Sequence, residues 1–136
     1  MAALANMSSK FVNLHPYVCQ RFNSLFNLLS KKRIKLIKKV DADNSSIEEY
    51  EHKTFPEKNL IQDLAIIEEL MRMVLEIINS CIINSIHHNT NLIYSILYHK
   101  NLYVQFYSHP NFQDVIANIE FVCSISLKNL KFDNYH

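Results

Sequence analysis

Two histidines stand side by side in this chain, His87 and His88. A pair of imidazoles on one helix could hold a metal if they lay four residues apart on one face. Neighbours in a helix point about 100° apart, so the doublet reads as a turn at a helix boundary. Asp63 and the doublet Glu68-Glu69 are the acidic candidates. Two carboxylates do acid–base work only where their surroundings push their pKa values apart. Nothing in the pattern buries these together, so they read as a solvated strip or as ion partners of Arg72. Cys19, Cys81 and Cys123 are widely spaced, odd in number and without C-x-x-C spacing. Neither a disulfide framework nor a zinc site follows, and Cys81 and Cys123 read as small hydrophobes on apolar helix faces. Tyr94, Tyr98, Tyr103 and Phe106 cluster near short helices, where core packing is the plain reading and a partner surface the sharper one.

The chain contains no glycine. Average usage would give about nine or ten. A phosphate-cradling P-loop and a dinucleotide fingerprint both need glycine for close backbone approach, and primed hairpin turns favour it. Nucleotide-binding α/β folds and tight β-hairpins are therefore not expected, nor is a G-x-S-x-G nucleophile elbow. Helices tolerate the lack best, because Asn can take a left-handed position past a helix end. Asn84, Asn89, Asn91, Asn101 and Asn111 stand at the expected breaks. No catalytic, metal or cofactor constellation emerges, and no cofactor is expected.

The strongest charge feature is KKRIKLIKK, with Lys31, Lys32, Arg33, Lys35, Lys38 and Lys39. Such a run can meet anionic lipid, a partner or nucleic acid. It can also be a solvated helix end whose cations complement the helix dipole. Between Lys31 and Glu51 six basic residues face five acidic ones. The acids offset much of a lipid attraction worth about 1 kcal/mol per cation. No aromatic stacking platform accompanies the run, as a single-strand binder would prefer. The solvated face is the favoured reading. The whole chain of 136 residues carries +1 net charge, so no global field points to nucleic acid or a membrane.

These side chains need elements to position them. The central one is a helix over 60–86. Leu60, Leu64, Ile67, Met71, Val74, Ile78, Cys81 and Ile82 recur at helical spacing, and Ile66, Leu70, Met73, Ile77 and Ile83 form a second apolar line. Only Gln62, Glu69, Arg72, Glu76 and Asn79 make a polar strip, so other elements should cover this helix on most sides. On that reading Ile78→Ala costs about 2–5 kcal/mol. Ahead of it, Pro16 opens a helix running to about Val40. Residues 1–10 look like the tail of a helix, with Leu4 and Met7 on one face. Residues 41–59 read as a flexible acidic linker, 60–132 as a C-terminal helical unit and 133–136 as a frayed tail. After the break at 87–91, Thr90 or Asn91 can cap a helix carrying Leu92, Ile93, Ile96 and Leu97. A short helix with Leu102 and Phe106 follows a break near Lys100-Asn101, and His109-Pro110-Asn111 stops it. A last helix begins near Asn111, with Asn111 and Asp114 resembling a capping box. The uncharged stretch 77–99 carries too many Asn, Ser and His side chains to cross lipid. No secretory signal is evident, and the cytoplasm is the expected compartment.

Residues 63–122 resemble the C-terminal region of the dymeclin family. The likeness is carried by Glu76-Ile77-Ile78-Asn79-Ser80-Cys81, by His87-His88-Asn89 with Asn91-Leu92, and by Ser108-His109-Pro110 with Phe112-Gln113-Asp114. ALANMSSKF and LFNLLSKK, upstream, fit the same family. The resemblance implies an all-α, armadillo-like helical array of about four to six helices, with no enzymatic activity. It implies a scaffold or adaptor, cytoplasmic and peripherally Golgi-associated, that supports Golgi organisation and vesicle trafficking. Its partners would be other trafficking proteins and the remaining repeats of a longer chain. The chain lacks the myristoylated N-terminal Met-Gly of the family, since Ala2 is not Gly. The chain thus reads as a fragment, beginning inside the array and stopping before its end, with apolar faces exposed at both cuts. A helical module binding anionic lipid or nucleic acid through 31–39 is the alternative, which strong salt dependence of binding would reveal.

Overall fold

Pro16 sets the start of the first long helix. Its ring suits a first-turn position that needs no N–H donor, and the His15 ring Nδ1 accepts the Tyr17 backbone N–H at 3.1 Å. The computed structural model describes residues 3, 7–45, 55–84 and 88–133. They form a short 3-10 helix at Ser8–Lys10 and five α-helices: α1 Pro16–Ser45, α2 Phe55–Asn84, α3 Thr90–Tyr98, α4 Lys100–Val104 and α5 Gln113–Asp133. No strand occurs among the described residues, and the fold is all-α.

Helix α2 is the spine. It buries Met71, Val74, Leu75, Ile77, Ile78, Cys81 and Ile82, more of the core than any other element supplies. Helix α1 packs along it, burying Cys19, Phe26 and Leu29, while α5 packs on it with Val115, Ile116, Ile119 and Cys123. Helix α3 fills between α1 and α5 with Leu92, Ile93 and Ile96. The first two helices are antiparallel, since Arg33 meets Glu68 while Ser8, ahead of α1, meets Cys81 near the far end of α2. One hydrophobic cluster spans all of these elements. Ile78 is fully buried within it, and the expected loss of about 2–5 kcal/mol for Ile78→Ala applies there. An unchanged denaturation midpoint would contradict it.

Several boundaries differ from the sequence reading. Helix α1 continues past Val40 to Ser45, and α2 begins at Phe55, so helices occupy both ends of the expected linker 41–59. Residues 46–54 lie outside the described residues, as do Leu4 and 134–136. Phe106 sits in the turn after α4, not inside it, because α4 closes at Val104. The cover on α2 is also uneven. Ile77 is buried, but Ile66 and Ile83 on the same expected apolar line are about half exposed.

The absent glycines are replaced differently from expectation. None of the five asparagines named above adopts a positive φ. The one positive-φ residue among those described is Asn13, at 51°, before α1. Asn89 ends its break at φ −122° and makes no side-chain cap bond to α3. Thr90 is the first residue of that helix and Asn91 the second, so neither is its cap. The Asn111–Asp114 box does not form either. Helix α5 starts two residues past Asn111, and the Asp114 carboxylate is taken by Arg72.

Candidate functional site

The half-buried charges converge on Glu68, at the middle of α2. Its Oε1 lies 2.9 Å from Arg33 Nε of α1 and 3.4 Å from His109 Nε2, an ion pair when that ring is protonated. Its Oε2 accepts the Asn111 side-chain amide at 3.4 Å. An aromatic layer lies beneath. The Arg33 guanidinium stands 5.7 Å over the Phe106 ring, and His109 stacks on Phe112 at 4.5 Å. Phe106 meets both Phe112 and Phe26 edge-on at 5.6 Å, and Phe26 stacks on Tyr103 at 5.0 Å. Glu68 thus ties α1, α2 and the 105–112 turn at one point.

One turn further along α2, Arg72 makes a second tie. Its guanidinium bonds both Asp114 oxygens, at 3.2 and 3.1 Å, the Glu76 carboxylate at 3.0 Å, and the Asn111 carbonyl. The hydrogen bond from Arg72 is the main reason the Asp114 carboxyl sits below its usual range. The expectation that Glu68 or Glu69 pairs with Arg72 is therefore corrected. Arg33 and Asp114, distant in sequence, capture the two residues first. Glu69 and Asp63 stay on the exposed strip.

A third cluster is built on asparagine. Asn89 is 1% exposed. Its amide donates to the Phe11 carbonyl at 2.7 Å and the Cys81 carbonyl at 3.0 Å, and its Oδ1 accepts the Leu14 N–H at 3.2 Å. The Asn91 amide reaches the Leu14 carbonyl at 3.3 Å, and the Asn13 N–H reaches the His88 carbonyl at 2.7 Å. The segment before α1 is thereby latched to the α2–α3 break. Asn23, buried in α1, accepts from the Tyr103 hydroxyl and donates to Ser95 Oγ at 2.5 Å and to the Cys19 carbonyl at 3.3 Å.

The structure distributes the residues singled out in the sequence over these ties. His109, Phe112 and Asp114 belong to the first two, with Pro110 exposed in the turn between them; Glu76 is on Arg72; Asn89 and Asn91 form the latch. Asn79 accepts from Asn118 of α5 at 2.8 Å. Cys81 points its thiol at the Ser8 carbonyl, 3.4 Å away. His88 is exposed in the turn, and His87 lies outside the described residues. The basic run divides: Arg33 turns inward, while Lys31, Lys32, Lys35, Lys38 and Lys39 are exposed. The aromatic cluster divides too, with Tyr103 and Phe106 buried, Tyr94 half exposed and Tyr98 87% exposed. Asn23 was missed by the sequence reading. Its signal was a lone amide on the buried face of α1, between Cys19 and Phe26.

All three cysteines are free and buried. Burial is the main cause that pushes the Cys81 and Cys123 thiols up to about 11. Unfolded thiols lose their protons from about pH 8.5 upward. The folded chain holds these two protons longer, so their contribution to stability is full below that pH and is lost as pH rises toward 11. The urea midpoint should fall across that window, and less steeply in Cys81→Ala/Cys123→Ala. Equal slopes in the two proteins would contradict the assignment. Among the described residues no His, Cys, Asp and Glu cluster could hold a metal ion, and no helix is long and apolar enough to cross a membrane.

The family model for dymeclin, described as "Dyggve-Melchior-Clausen syndrome protein", matches residues 1–129. Dymeclin of Rattus norvegicus is 50% identical over 124 residues, covering 91% of this chain and 18% of the relative. Dymeclin of Gallus gallus is 48% identical over 139 aligned residues, covering 96% and 19%. Dymeclin of Drosophila melanogaster is 46% identical over 122 residues, covering 90% and 17%. The chain thus spans less than a fifth of the length of these relatives. No solved structure matches it. With nearly the whole chain matched and its latch and ties falling in the matched segments, the chain belongs to the dymeclin family.

Proposed function

We propose that this chain is part of a helical scaffold of the dymeclin type, serving Golgi organisation and vesicle trafficking without catalysis. The observation that carries the reading is how the half-buried charges are used. Glu68 joins α1, α2 and the 105–112 turn, and Arg72 joins α2 to α5. Groups that could otherwise act on a substrate are engaged in holding helices in place. The outer side of α1 also leaves Val18, Leu25 and Leu28 exposed, and α5 leaves Phe121 and Ile125 exposed. Such faces suit an armadillo-like array, in which each unit packs on its neighbours. The cytoplasm, with peripheral association at the Golgi, is the compartment that goes with this role.

An antibody raised against residues 99–114 tests the reading on fractionated lysate of cells that make the protein. The signal should divide between cytosol and Golgi membranes. A signal confined to nuclei or to the culture medium would overturn it.

A further inference from the structure

Where α1 and α2 run side by side ahead of the Arg33–Glu68 tie, they leave a groove of about 340 Å³. Lys32, Lys35 and Lys39 line one side, and Leu36, Ile66 and Ile67 form the floor. The three lysines and Leu36 fall within about 100° of arc on α1. Asp63 is the one carboxylate lining the groove among the described residues.

Four of the other cations are engaged. Arg21 is on Tyr17, Arg33 on Glu68, Arg72 on Asp114 and Glu76, and Lys100 lies 3.6 Å from Glu120. The three groove lysines make no ion pair among the described residues. Ile66 beside them stays 50% exposed. Among the described residues, three lysines facing a single carboxylate thus border uncovered apolar surface, in a slot between two antiparallel helices. The shape and the charge select the ligand. An amphipathic helix lays its apolar face into such a slot. Lys32 to Lys39 spans about 10.5 Å of helix rise, which equals the rise between carboxylates at positions i and i+7 of a partner helix. A bilayer presents its charge as a plane, which meets the lysine heads without reaching the floor.

From this geometry we infer that the groove docks an acidic amphipathic helix of a partner protein. Its carboxylates at i, i+3 or i+4, and i+7 lie against Lys32, Lys35 and Lys39, and an apolar side chain seats on Leu36, Ile66 and Ile67. The inference rests on the scaffold reading and names the chemistry of one partner.

The test uses a fluorescent synthetic peptide of about four helical turns, with Glu at those positions and Leu on the adjoining face, and a scrambled peptide of equal composition. Anisotropy titrations with the whole chain are run at low and at physiological salt. The patterned peptide should bind, more weakly as salt rises, and the scrambled one should not. Lys35→Glu/Lys39→Glu should weaken binding by at least about tenfold, as should Ile66→Asp, with unchanged helical circular dichroism. Lys10→Glu/Lys128→Glu, exposed but remote from the groove, should leave it unchanged. Equal binding of both peptides, or equal affinity for the Lys35→Glu/Lys39→Glu chain, would overturn the inference. So would binding to phosphatidylserine vesicles with none to the peptide, which would make the surface a lipid site. Failure here leaves the Golgi fractionation result standing, so the two readings fail separately.

Discussion

Asn89→Asp should destabilise the folded chain by about 4 kcal/mol at neutral pH, and Asn89→Ala by about 3 kcal/mol. The wild-type amide satisfies the carbonyls of Phe11 and Cys81 and the N–H of Leu14 from a position 1% exposed. Alanine leaves those partners with no side chain to meet them. Aspartate keeps the shape but turns a two-donor nitrogen into an oxygen facing two carbonyl oxygens, and adds a buried charge. Because the neutral acid is better tolerated there, the introduced carboxyl's folded pKa rises above its unfolded value of about 3.9. The Asp variant should therefore regain stability below pH 4 relative to wild type, and lose it as pH rises. Urea midpoints of the three proteins at two pH values check this. An Asp variant equal to wild type at neutral pH would show that the latch contributes nothing. Hydrogen exchange should also quicken first at residues 11–14, the segment the amide holds.

Phe26→Ala should cost about 3–5 kcal/mol, the range for truncating a buried phenylalanine. Phe26 is fully buried, stacked on Tyr103 and edge-on to Phe106. With Asn23 and Arg33, it is where α1 reaches α4 and the turn that carries His109. Emptying it also loosens the layer beneath Arg33 and Glu68. Phe26→Leu keeps most of the volume and should cost clearly less than Phe26→Ala. Equal midpoints for the Leu and Ala variants would mean that packing volume at this site does not control stability.

Much of this architecture was legible in the sequence because helical spacing is a local signal. The line Met71, Val74, Ile78, Cys81 and Ile82 is buried as its period implies. Pro16 announces α1, and Pro110 sits in the turn that separates α4 from α5. What was not legible depends on distant partners. Nothing near Glu68 predicts that Arg33 will reach it from α1. Nor does Asp114's neighbourhood show that Arg72 will take its carboxylate in place of a cap. Asn89 looked like a turn residue because asparagine favours breaks; its function is instead set by two carbonyls and an N–H from other segments. The acidic composition of 41–59 hid the fact that a helix already under way at Lys38-Lys39 continues to Ser45. For Glu68, Asp114 and Asn89, contacts with distant segments decided the outcome.

On the proposed function these residues act by holding a shape. The most direct test replaces the matched segment of a full-length relative, such as the rat protein, with residues 1–129 of this chain. The chimera is expressed in cells lacking the endogenous protein, and Golgi compactness is measured by imaging. The expected result is that the chimera restores a compact Golgi, as does a chimera carrying Glu69→Gln, which neutralises an exposed carboxylate without touching a tie or the α1–α2 groove. Asn89→Asp fails, in step with its lost stability. The contradicting result is loss of rescue by Glu69→Gln at unchanged stability, because chemistry or direct contact at that carboxylate would then be carrying the function.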